Sequence, residues 1–107
     1  MNTIDKLKSD AVKAISGGIF NITKMDLTQQ VTKMVNDEVA LLVEISQRAN
    51  DQNALNEIGK KIYFLREGSA RFFSSVLKNK KLYHAVNNMY AKYFSAWLQL
   101  ILSLIHI

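Results

Sequence analysis

None of the 107 residues is proline. Proline fixes φ and removes a backbone donor, so a chain without it can run long helices unbroken. The apolar residues recur as such helices require. Four stretches place them three and four residues apart, with charges on the opposite side. The connections between these stretches are short, which favours neighbours that run antiparallel. The expectation is an all-α fold, a three- to four-helix bundle with antiparallel neighbouring helices and no sheet.

The first helix is expected from Asn2 to Ser16, with Ile4, Leu7, Ala11, Ala14 and Ile15 on one side. Asn2 and Asp5 read as a capping pair. Gly17-Gly18 reads as the end of that helix, because glycine adopts the left-handed cap conformation without strain. "IFNITKM" then reads as a connection. The second helix is expected from Asp26, a good N-cap, to about Asn50. Its stripe is Leu27, Val31, Met34, Val35, Leu41, Leu42, Ile45 and Ala49. Asn50 to Asn53 stop it and start the next.

The third helix is expected over Ala54 to Leu77, with Leu55, Ile58, Ile62, Leu65, Phe72, Phe73 and Val76 inward. Gly59 and Gly68 each disfavour a helix interior by about 1 kcal/mol against alanine, so a bend or break is expected near Gly68. Lys78 to Lys81 read as a basic turn. The fourth helix starts near Lys81 and lines one face with Leu82, Val86, Met89, Tyr90, Tyr93, Trp97 and Leu100. Its other face carries Lys81, His84, Asn88, Lys92, Ser95 and Gln99, which argues against a membrane span.

Residues 1–101 are expected to form a single domain. There is no cysteine, hence no disulfide framework and no thiolate chemistry. The N-terminal stretch mixes acids with its lysines and lacks the apolar core of a signal peptide. No transmembrane segment is expected, and a cytoplasmic location fits this pattern. The last six residues, LSLIHI, also read as the translation of the transposon mosaic end used to tag DNA fragments for sequencing. On that reading Leu102 to Ile107 are not native, the native chain continues beyond about Ile101, and His106 carries no functional meaning.

Signs of catalysis are few. His84 and His106 are the only histidines, and neither stands at metal-ligand spacing with another ligand. Ser74-Ser75 have no histidine and acid arranged around them, and Gly17-Gly18 lacks the rest of a phosphate loop. No catalytic residue, metal site or cofactor is therefore assigned, and the chain is not expected to be an enzyme.

Glu38 is the most unusual residue. Helical geometry puts it in the middle of an apolar stripe, between Met34, Leu41 and Leu42. A buried unpaired carboxylate is costly, so it needs a partner, and Arg66 at the edge of the third stripe is the expected one. A structural ion pair fixing helix register is the simpler reading, a functional carboxylate the second, and a face that binds another chain the third.

Net charge is +5, with Lys80, Lys81 and Lys92 and no acid after residue 79. On the outer side of the third helix stand Lys60, Phe64, Glu67, Arg71 and Lys78. A basic row with an exposed aromatic suits phosphate contact and base stacking. Phe64 is equally an anchor for another helix. Phe94 and Leu98 widen the fourth stripe beyond what a small bundle covers.

The stretch from "DLTQQVTKMV" through "IYFLREGSARFF" to "MYAKYFSAWLQ" loosely resembles, in helix spacing and tyrosine-rich ending, the small helical subunits of multi-subunit CRISPR effector complexes. That resemblance implies a helical fold and transfers no residue role. The expected function is a helical binding module acting through protein–protein contacts or self-association, with Phe64, Phe94 and Leu98 at the interface. The alternative is a nucleic-acid-binding protein using Lys60, Arg71, Lys78, Lys80 and Lys81.

Overall fold

The computed structural model describes residues 3–48 and 50–105, and among these all regular structure is helical. α1 spans Thr3–Thr23, α2 Thr28–Gln47, α3 Gln52–Val76 and α4 Lys80–Ile105. α1 and α3 each pack on both α2 and α4, and α2 meets α4 across the middle. α1 and α3 stay apart on the long diagonal. Neighbours run antiparallel. Phe73 stacks on Tyr90 while Arg66, earlier in α3, reaches Phe94, later in α4.

The stripes supply the core. Ile15 and Ile19 enter from α1, Val31, Val35, Val39 and Leu42 from α2, Phe73 from α3, and Val86, Tyr90 and Trp97 from α4. Full burial of a large apolar side chain contributes about 1.5–3 kcal/mol, so these residues set how the helices pack. Leu100, expected inside, is exposed near the end of the bundle. Ala49 and Asn2 lie outside the described residues.

Two of the three expected breaks occur, and side chains make them. Asp51 accepts from the backbone N–H groups of Asn53 and Ala54 at the start of α3. Asn79 does the same for Lys81 and Leu82 at the start of α4. α2 begins at Thr28 rather than Asp26. The Asp26 carboxylate accepts from the Thr28 N–H and hydroxyl, and these bonds hold its carboxyl below the usual value.

The third expected break does not occur. α1 runs through Gly17-Gly18 to Thr23, so "IFNIT" is helix and not connection. Gly18 serves packing instead. A Cβ there would stand 2.6 Å from the Met89 sulfur, so the bare backbone makes room for the end of that side chain from α4. The helix stops where Lys24 takes a left-handed φ of 63°. Thr23 steadies that turn, donating to the Ile19 carbonyl and accepting from the Met25 N–H. Nor is there a break at Gly68. α3 is one continuous helix, held on either side of that residue by the buried Ile58, Ser69 and Phe73.

No helix among the described residues is long and apolar enough to cross a membrane. α4 continues through Leu102 to Ile105, while His106 and Ile107 lie outside the described residues.

Candidate functional site

Among the departures from the apolar-in, polar-out rule, the two most pronounced involve α3. The first faces inward. Glu38 of α2 is only 1% exposed. Arg66 Nη1 stands 3.6 Å from its Oε1, a Coulombic contact too long for a good hydrogen bond. The Ser69 hydroxyl lies 3.5 Å from the same oxygen and donates to the Leu65 carbonyl at 3.0 Å. The guanidinium also lies over two rings of α4, 5.0 Å from the centre of Tyr90 and 5.6 Å from that of Phe94. Glu38 Oε2 and the Tyr90 hydroxyl are buried without a hydrogen-bond partner among the described residues.

Burial dominates the electrostatics. It pushes the Glu38 carboxyl up to about 7, although Arg66, Tyr90 and Ser69 all pull the other way. Burial, and then the Glu38 charge, raise the Tyr90 phenol above its ordinary value. The cluster is thus a carboxyl close to half-protonated at neutral pH, beside a cation that leans on aromatic faces. Ser69 and Tyr90 were not singled out from sequence. Ser69 follows Arg66 by three, so it shares its face of the helix, and that spacing was the available signal.

The second place faces outward. Phe64 is 68% exposed and Tyr63 62%, and their rings meet edge to face. Phe64 stands between three depressions. One lies toward Met34, Gly68 and Phe72, one toward Ala40, Leu41 and Lys61, and one toward Leu55, Gly59 and Lys60. Tyr63 was missed because it falls a third of a turn from the Phe64 row. Its interaction with Glu67 raises its phenol above the ordinary value.

The remaining candidates are placed as follows. Phe94 and Leu98 are half-buried and pack in part against the core. Lys60, Arg71 and Lys78 are exposed on or just beyond α3, and Lys80 and Lys81 open α4. Arg71 Nη2 is 3.6 Å from Glu67, so the basic row is interrupted by its own ion pair. His84 is exposed, with its ring beside Tyr83. Among the described residues no three histidine, aspartate or glutamate side chains come together as a metal site.

A separate apolar groove runs between α1 and α4, lined by Leu7, Ala11, Ala14, Tyr93, Trp97 and Leu100. Thr3, Lys6 and Asp10 also line it.

Compared with known proteins, the chain matches no family model, no curated protein and no solved structure.

Proposed function

We propose that this chain is a helical binding module whose outer α3 face docks on a helix of another polypeptide. The observation that carries the reading is Phe64, 68% exposed and set among three depressions. Aromatic side chains are favoured anchors at protein interfaces because they bring large area with little rotamer entropy. An exposed aromatic pair beside shallow hollows of mixed polar and apolar lining is the kind of surface a partner helix fills. Phe94 and Leu98, also expected at the interface, are half-buried on α4.

A photoreactive phenylalanine analogue at position 64 tests this in the cells that express the chain. A discrete cross-linked protein adduct, lost when the analogue is moved to the exposed position 84, is the expected result. Absence of any adduct at position 64 would sink the reading.

Contact with nucleic acid through Lys60, Arg71, Lys78, Lys80 and Lys81 is the second reading. It draws on Lys60, which borders the same depression as Phe64. Glu57 and Glu67 stand in that row and oppose a phosphate backbone. Nucleic-acid affinity that falls steeply with salt would favour it over the first.

A further inference from the structure

The outer face of α3 carries charges in a mirrored order, and that order identifies a partner. At about 100° per residue, Glu57 and Arg71 lie within about 20° of Phe64, one two turns before it and the other two turns after. Lys60 and Glu67 lie together to one side, four residues before Phe64 and three after. Along the helix the face therefore reads acid, base, aromatic, acid, base. Rotating it by half a turn about an axis through Phe64 places every acid opposite a base.

We infer that the partner of this face is a second copy of the chain, with the two α3 helices antiparallel about a two-fold axis at Phe64. This rests on the binding-module reading and names its partner. In the pair, Glu57 of each copy meets Arg71 of the other, and Lys60 meets Glu67. The two Phe64 rings meet at the axis. Lys61 passes over Gly68, beside which nothing lies within 4 Å of a would-be Cβ. A two-fold interface must be self-complementary, and this sequence order supplies that. A parallel arrangement in register would set like charges against each other.

The residues are free to do this. Glu57, Lys60 and Phe64 are exposed. Arg71 has 78% of its side chain in solvent and pairs with the half-exposed Glu67, which also engages Tyr63. Exposed pairs of that kind are worth little, so exchanging it for contacts across the axis meets little resistance. The apolar centre is small, so the dimer is a weak one that forms at high micromolar concentration.

Two charge-reversed variants decide the matter. Glu57→Arg makes the face basic at both ends of the row, and Arg71→Glu makes it acidic at both. Each alone sets like charges across the axis twice, whereas a mixture sets only opposite charges. Sedimentation should show the parent chain dimerising, each variant at least about tenfold weaker, and the equimolar mixture recovering the dimer. Lys60→Glu and Glu67→Lys form a second pair with the same expectation, and circular dichroism checks that all four keep their helix. A parent chain that stays monomeric at high micromolar concentration overturns the inference. So does a dimer that ignores every charge reversal. In either case an adduct at position 64 with a different protein would leave the binding-module reading standing, and no adduct would remove both.

Discussion

The two faces of α3 invert the usual distribution of polarity. Inward, Arg66 and Ser69 lie against the buried Glu38. Outward, Tyr63 and Phe64 stand in solvent. The helix is oriented by its apolar stripe, including Ile58, Ile62 and Phe73, and these few residues are carried where that stripe puts them. Foldable sequences are locally consistent, and departures from consistency mark functional or strained positions. The inner and outer departures differ in kind. The inner one carries a desolvation penalty that its neighbours only partly offset. The outer one is apolar area that the monomer leaves unused.

The largest expected effect comes from breaking the inner face unevenly. Arg66→Leu leaves a buried carboxylate without its cation and removes the guanidinium from the Tyr90 and Phe94 rings. At pH 8 it should destabilise the fold by about 3 kcal/mol, read from urea unfolding. Glu38→Leu should be tolerated or even stabilising. Arg66 keeps 21% of its side chain exposed, so it reaches water when its partner is gone. Equal losses in the two variants would show that the pair is not the lopsided one described.

Titration gives the next largest effect. The unfolded Glu38 carboxyl titrates near 4.5 and the folded one near 7, so between these values the folded chain holds a proton that the unfolded chain releases. This contribution to stability is fully present below pH 4.5, falls as pH rises toward 7, and is flat above. The span corresponds to about 3 kcal/mol. Unfolding free energies across pH 4.5 to 8 should show this slope in the parent chain and lose it in Glu38→Gln. A slope that survives the substitution would assign it to other groups.

Legibility in the sequence follows the same division. The four stripes and the breaks at Asn50 to Asn53 and Lys78 to Lys81 were readable because periodicity and turn chemistry are local, although Asp51 and Asn79 were not singled out as the caps. The burial of Glu38 was readable because three and four residues to either side place apolar neighbours around it. Gly17-Gly18 misled because a glycine that ends a helix and a glycine that admits Met89 look alike in one strand of sequence. Only the arrival of α4, some seventy residues later in the chain, distinguishes them. Tyr90 joined the buried cluster through a tertiary contact that no spacing within one helix reveals, whereas Ser69 shares a helix face with Arg66.

Glycine on α3 gives a smaller test of whether its two faces belong to one rigid element. Gly59 and Gly68 are both helical, and a Cβ at either would meet nothing within 4 Å. Alanine at each should therefore raise stability by about 0.5–1 kcal/mol through helix propensity. The gain at Gly68 should match that at Gly59. A loss at Gly68 alone would mean that α3 bends there, and that Arg66 and Phe73 are not held by one continuous helix.

The smallest expected effect is on the outer face, and it sharpens the contrast most. Truncating a buried phenylalanine typically costs 3–5 kcal/mol. Phe64 is 68% exposed, and its ring meets Tyr63 edge to face. Phe64→Ser should therefore change the unfolding free energy by less than about 0.5 kcal/mol at concentrations where the chain is monomeric. Helix propensity itself hardly separates the two residues. At high concentration the parent chain should gain stability with concentration, because a dimer that forms only from folded chains adds to it by mass action, and Phe64→Ser should not. Thermal unfolding over a wide concentration range measures both at once. A large loss for Phe64→Ser in dilute solution would mean that the ring belongs to the fold. Equal concentration dependence in the two chains would place the association elsewhere.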